Sequence, residues 1–333
     1  VNISAFYHNH RRLSILGLCL LAVIIVILVV PYLIPLGKTA PSIPPEDLAA
    51  ANGSFMNIEN TSIYVEVYNP ESTMETLVFI HGFGGSTFSW RENIPFFAAQ
   101  GYRVVALDLK GFGLSQKDFG PDYSHPAQAE LVNGVLKALG IDRAWFIGHS
   151  MGTSVMLHLA HLYPQKVSGL ISVDGAVVVE KSFISPAALI GFGPFARAGS
   201  VILTRYMNAG RIRSILESAY YRKETAGGQT FEGYYNRLIT GNWYEALLAM
   251  TRDSNDNAAT FPLEEINLPV LIIWGEHDTW VAREDIDLWK DRLPEAEFYI
   301  IDDAGHLPME EQPGVFNTRV AGFIRASTQT AVR

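Results

Sequence analysis

Only one cysteine, Cys19, occurs in 333 residues, so the chain can form no internal disulfide and must hold its fold by core packing. Acidic residues are missing before Glu46, and no charge of either sign falls between Arg12 and Lys38. A basic excess is missing as well. Lys and Arg number 25 against 34 Asp and Glu, a net charge of −9. That balance argues against a nucleic-acid partner, whose phosphates demand a basic footprint. No internal repeat is visible, and no His, Cys or carboxylate cluster has metal-ligand spacing, so neither a repeat array nor a metal centre is expected. What is present, 48% hydrophobic and 18% charged residues, suits a globular body with a sizeable core.

The charge is distributed unevenly. Residues up to Lys38 carry Arg11, Arg12 and Lys38 and no acid; the remainder holds the other 22 basic residues and all 34 acidic ones. Between the arginines and Lys38, Leu13–Val30 reads LSILGLCLLAVIIVILVV. As a helix this run rises about 27 Å, close to the ~30 Å of a bilayer's hydrocarbon. The apolar stretch continues to Leu36, and Pro31 and Pro35 are expected to end or kink the helix. A cleaved signal peptide is the main alternative, but its apolar region is usually about 7–15 residues, and no A-x-A site stands near Gly37–Ala40. A buried core helix is the other. The expectation is a single-pass anchor over residues 13–36 behind a basic N-terminus, residues 1–12. Arg11 and Arg12 outweigh Lys38, which keeps the N-terminus cytoplasmic and places the catalytic body outside the cytoplasm. A proline-bearing linker, residues 37–50, follows.

Beyond it, β-rich runs alternate with helical patterns. The strands expected are Ile63–Val67, Thr76–Ile80, Arg103–Asp108, Ala144–Ile147, Val167–Val173, Val270–Trp274 and Phe298–Ile301, with helices such as Ala127–Leu139 and Val155–Leu162 between them. Such alternation implies an α/β fold with a mostly parallel sheet covered on both faces, and ligands at the carboxyl ends of its strands. Residues 178–261 break the rhythm, with helical patterns and many aromatics but no good strand. They read as a helical cap that divides the core into residues 51–177 and 262–328.

Three strand ends carry chemistry. Gly148-His149-Ser150-Met151-Gly152 lies between a strand and a helix, where a sharp turn lifts the serine Oγ above the sheet. A serine hydroxyl needs an adjacent base held by a third group. His306, in the segment DDAGH, supplies the base, and Asp278, in WGEHD, supplies the acid; Asp174, at the end of Val167–Val173, is the reserve acid. The order Ser–Asp–His is that of α/β-hydrolases. The glycine-rich segment His81-Gly82-Phe83-Gly84-Gly85 frees backbone amides for an oxyanion, with those of Phe83 and Met151 the candidates. No lysine follows these glycines and no G-x-G-x-x-G is present, so a phosphate loop is disfavoured and no cofactor is expected.

Taken together, HGFGG, DLKGFGLS (Asp108–Ser115), GHSMG, WGEHD and DDAGH resemble the α/β-hydrolase superfamily over roughly Ser62–Arg325. The stretch from HGFGGSTFSW to GYRVVALDLKGFGLS is similar to epoxide hydrolases. Those enzymes place an aspartate at the nucleophile position, and Ser150 opening an epoxide would leave a stable ether. The surroundings of GYRVVALD are similar to carbon–carbon hydrolases of ring-cleavage products, although Leu307 stands where those carry tryptophan and Glu92 where they carry asparagine. The apolar N-terminal span gives the chain a layout similar to membrane-anchored monoacylglycerol lipases. What the resemblance implies is an esterase or lipase acting on a small hydrophobic ester or lipid, with carbon–carbon hydrolysis, acyl transfer and perhydrolysis as alternatives for the same triad. Phe183–Leu203 is apolar apart from Arg197 and two serines, so the cap is expected either to pack on the sheet or to lean on the membrane.

Overall fold

The computed structural model describes residues 3–37, 43–175, 186–281 and 284–331. The expected start of the insertion at Val178, with Phe183, and the Thr39–Pro41 part of the linker lie outside these residues.

A first helix, α1 (Ile3–Leu33), begins well before the span expected from the apolar run and stops short of Leu36. Pro31 lies inside it, near the end, where a missing N–H costs a single bond; Ile34, restricted by the following Pro35, forms a bend. Within it, Ile15–Leu33 is the one helix among the described residues long and apolar enough to cross a membrane, and its side chains are almost all exposed.

Eight strands form one sheet: β1 (Gly53–Ile58), β2 (Thr61–Tyr68), β3 (Thr76–Ile80), β4 (Arg103–Leu107), β5 (Ala144–His149), β6 (Val167–Val173), β7 (Val270–Gly275) and β8 (Glu297–Ile301). Their spatial order is β1-β2-β4-β3-β5-β6-β7-β8. The first two are antiparallel to their neighbours and all later pairings are parallel. Seven of the eight correspond to expected strands, with ends moved by a residue or two.

The unexpected strand is β1. Its polar Ser54 and Asn57 interrupt the apolar pattern, and it lies at the sheet edge. It is joined to β2 by a two-residue turn in which Glu59 and Asn60 have φ of 51° and 66°, the left-handed geometry that suits a tight hairpin.

Alternation along the central strands sends side chains to two cores. Val78, Val105, Phe146 and Ile272 enter one core; Phe79, Ala106, Ile147 and Ile273 enter the other. Helices α2 (Ile94–Ala99), α3 (His125–Ala138) and α4 (Met151–Leu162) follow β3, β4 and β5. The first core is closed by α3 and α4 through Val132, Leu136 and Val155. The second is closed by Ile94 and Phe97 of α2 and by Phe316 and Val320 near the C-terminus. Burying one such phenylalanine contributes roughly 1.5–3 kcal/mol.

Between β6 and β7 every regular element among the described residues is helical. The longer ones are α5 (Gly193–Tyr206), α6 (Ala209–Ala219), α7 (Gly228–Leu238) and α8 (Trp243–Asp253). After β7 come α9 (Glu284–Arg292), α10 (Pro308–Glu311) and α11 (Pro313–Ala331).

One buried ionic knot ties this insertion to the core. Glu310 of α10, its side chain wholly buried, takes the Arg91 guanidinium at 2.7 Å and the Tyr220 hydroxyl at 2.5 Å, and also accepts from the Tyr234 hydroxyl. Burial opposes the Arg91 charge, but the Glu310 carboxylate outweighs it and raises the guanidinium further above its ordinary range. Removing Glu310 would take the close carboxylate from the Arg91 guanidinium and the acceptor from the Tyr220 and Tyr234 hydroxyls. Glu310→Ala is therefore expected to cost about 3–5 kcal/mol, read as a lower urea midpoint, and Glu310→Gln less.

Candidate active site

The turn between β5 and α4 puts Ser150 at φ 50°, ψ −118°, a conformation that non-glycine residues rarely adopt. The glycines around it leave no room for a side chain. A Cβ on Gly148 would come within 2.7 Å of the Gly152 carbonyl, and one on Gly152 would run into the carbonyls of Ile80 and His81. A Cβ on Gly82 would lie 2.9 Å from that of Ser150. The G-x-S-x-G spacing is thus a packing requirement of a helix that starts against the end of β3.

His306 and Asp278 meet directly. The imidazole Nδ1–H donates to Asp278 Oδ2 at 2.8 Å, while the amides of Trp280 (2.7 Å) and Val281 (3.3 Å) donate to Asp278 Oδ1. Burial pushes the Asp278 carboxyl up, but its bond to His306, the imidazole charge and the Trp280 amide outweigh this and hold it below the usual carboxylate range. Asp174 does not bond to His306. Its Oδ1 accepts from the Gly275 amide at 2.9 Å, and burial, then the Asp278 charge, raise its pKa well above the ordinary value.

Asp174, Asp278 and His306 thus form a three-residue cluster with ligand atoms within 4.8 Å, which no sequence spacing announces. Within it, His306 Nδ1 and Asp278 Oδ2 are hydrogen-bonded to each other at 2.8 Å, the pairing of a base with its orienting acid.

Ser150 Oγ makes no hydrogen bond among the described residues, and a serine–histidine contact commonly tightens only around substrate. The Phe83 amide donates to no protein group among them, and that of Met151 opens α4, where no intrahelical acceptor exists for it.

Three participants escaped sequence reasoning. His149, inside the serine motif, donates from Nε2 to the His306 carbonyl at 2.7 Å and so fixes the backbone of that histidine. Trp280 stacks on the His306 ring, with centroids 5.3 Å apart, and its indole N–H reaches Ser218 of α6 at 3.2 Å. The Tyr234 hydroxyl of α7, which donates to Glu310, can accept from Ser89 Oγ at 3.0 Å. Of the three, only His149 lay within a motif.

The loop motifs also acquire a physical meaning. Asp108 accepts from the amides of Thr87 and Leu114, each at 2.6 Å, tying the HGFGG turn to the DLKGFGLS turn. His81 donates from Nδ1 to the Gly82 carbonyl and accepts the Leu109 amide on Nε2.

These buried rings make a prediction for pH. Burial above all pushes His81 down to about 4, and His125 and His149 down to about 3. Each stays neutral in the fold but is protonated in the unfolded chain below about pH 6.5. Stability present at pH 7 is therefore lost as pH falls through 6.5 towards those values, by roughly 2 kcal/mol per histidine at pH 5. Asp108, raised to about 6 chiefly by burial, works the other way and returns about 1 kcal/mol. The expected result is a lower urea midpoint at pH 5 than at pH 7.

Above these residues, core and insertion enclose a cavity of about 200 Å³. His149, His306 and Phe83 line it from the core, and Ile212, Leu216 and Trp243 from the insertion. Ser89 and Tyr234 add polar contacts, and among the described residues no Asp, Glu, Lys or Arg lines it.

Residues 75–313 match the family model described as alpha/beta hydrolase fold. The chain belongs to the α/β-hydrolase fold family. It is a hydrolase, and its relatives differ in substrate. It is 29% identical over 269 residues to the uncharacterised hydrolase YugF of Bacillus subtilis, covering 80% of this chain and 96% of that one. It is 27% identical over 291 residues to a 2-hydroxy-6-oxononadienedioate/2-hydroxy-6-oxononatrienedioate hydrolase of Paraburkholderia phymatum, covering 83% and 96%. The solved structure of Est816, described as an N-acyl homoserine lactone degrading enzyme, is 27% identical with a TM-score of 0.64, covering 81% of this chain and all of that one.

Proposed function

We propose that this α/β-hydrolase is a membrane-anchored serine esterase or lipase that cleaves carboxylic esters with apolar acyl groups. The observation that carries the reading is the Asp278–His306 hydrogen bond opening onto an apolar cavity beside the strained Ser150 turn. Ser150 Oγ attacks the ester carbonyl while His306 Nε2 takes its proton. Asp278 holds the tautomer with Nδ1 protonated and stabilises the imidazolium; the amides of Phe83 and Met151 receive the oxyanion. Collapse expels the alcohol, which takes the proton from His306 and leaves an acyl group on Ser150. Water, deprotonated by the same histidine, then releases the acid.

Carbon–carbon hydrolysis is the second reading, favoured by the Paraburkholderia relative. That relative's named substrates are dioates. Among the described residues no cationic side chain lines the cavity to offset the desolvation of a dianion, which favours neutral esters.

A panel of p-nitrophenyl esters of rising chain length, with monoacylglycerols and a ring-cleavage dienone alongside, tests the choice. The expected result is turnover of the esters, with kcat/KM rising several-fold from acetate towards medium chains. Turnover of the dienone alone would overturn it.

The apolar span of α1 and the arginines before it support an anchor with the N-terminus cytoplasmic and the catalytic body outside. The helical insertion, which supplies most of the cavity's apolar wall, serves as the cap.

A further inference from the structure

The end of α1 is not left to solvent. A helix C-terminus carries carbonyls without intrahelical partners. Arg197 of α5 donates to the carbonyls of Pro31 (3.3 Å) and Ile34 (3.0 Å), and Arg205 of the same helix donates to that of Pro35 (3.0 Å). In return, the Gly37 amide donates to Thr204 Oγ1 at 2.9 Å. One helix of the insertion therefore clamps the segment on which the apolar span ends.

Beside this clamp the surface is unlike the rest of the chain. Leu189, Phe192, Ile202 and Tyr206 are each more than half exposed. Residues 186–216 contain four arginines, Arg197, Arg205, Arg211 and Arg213, and no acidic residue, in a chain whose net charge is −9. Arg205 and Arg211 are exposed. Exposed apolar side chains flanked by arginines, joined to the end of a membrane-length helix, have the chemistry of a lipid interface bearing anionic headgroups.

We propose that α5 and the turn before it lie on the anionic lipid surface from which α1 emerges, held there by the Arg197–Arg205 clamp. This rests on the reading of α1 as an anchor. Cap residues that line the cavity follow α5 immediately, Met207 and Ile212 among them, so docking α5 brings this wall of the cavity near the lipid surface from which an apolar ester would enter.

The test uses the full chain in lipid nanodiscs. With Cys19→Ala as background, Phe192→Cys, Ile202→Cys or Asp142→Cys carries a nitrobenzoxadiazole label. Asp142 is fully exposed and precedes β5, at the opposite end of the parallel strands. Nitroxide-bearing phosphatidylcholine should quench the labels at 192 and 202 at least threefold more than the label at 142. Phosphatidylglycerol should increase that difference, and Arg197→Gln with Arg205→Gln should reduce it. Equal quenching at all three positions overturns the docking. An unchanged difference with phosphatidylglycerol overturns the anionic preference, and an unchanged difference in the double variant overturns the clamp. A chain that fails to co-elute with the discs removes the anchor and the proposal with it. None of these readouts depends on ester hydrolysis, so failure of the esterase reading is separately visible.

Discussion

Ser150→Ala is expected to lower kcat by roughly 10⁴- to 10⁶-fold, with KM little changed. The hydroxyl is the only group at the turn able to form the acyl intermediate. Its strained backbone is set by β5, by α4 and by the glycine contacts, none of which needs the Oγ. The variant should therefore fold as the parent does. A fluorophosphonate probe should label the parent and not the variant. Folded parent protein that takes up no label would contradict the serine mechanism itself, whatever the substrate.

Asp278→Asn should cost about 10⁴-fold in kcat, while Asp174→Asn should cost less than tenfold. The two carboxyls are neighbours in one cluster, but their environments push them apart. Asp278 receives the His306 Nδ1–H and two amides, so it stays ionised and dictates the tautomer. An asparagine there could offer its NH₂ to Nδ1, favouring the tautomer whose Nε2 cannot accept the serine proton. Asp174 is buried beside that charge, and burial first and then the charge raise its pKa and so favour the neutral acid. Asparagine reproduces a neutral acid closely: its oxygen still takes the Gly275 amide and its NH₂ replaces the acid proton. Values of kcat/KM for both variants on one p-nitrophenyl ester decide the matter. A reversed ranking would give the role of the triad acid to Asp174.

Much of this was legible because strand ends are. Ser150 and Asp278 follow wholly buried strands, β5 and β7, and His306 follows β8, where only Ile301 is buried but Phe298, Tyr299 and two isoleucines still mark a strand; the order of the three motifs is that of the family. Edges are quieter. β1 has one buried residue, Ile58, and its hairpin turn uses Glu59-Asn60 in place of the glycine-bearing pairs that advertise such turns. The supports of the site were least legible, because they pair residues far apart in the chain. His149 meets the His306 carbonyl across 157 positions, and Tyr234 meets Ser89 across 145. Trp280 gains its meaning only when α6 arrives beside it. Helix α1 illustrates the converse. Its apolar core was plain, but its limits were set by how far one helix tolerates a proline near its end and by what docks on its last carbonyls.

The backbone of His306 hangs between two bodies. Its carbonyl is held by His149 at the serine turn, and its amide donates to the carbonyl of Ala219, the last residue of α6, at 2.8 Å. Gly305 just before it has no space to yield, since a Cβ there would meet both Ala219 and Tyr221 at 2.7 Å. Swinging α6 away from the sheet would break the amide bond of His306 and unseat the base. One peptide thus ties the insertion to the base: whatever displaces the end of α6 also acts on His306.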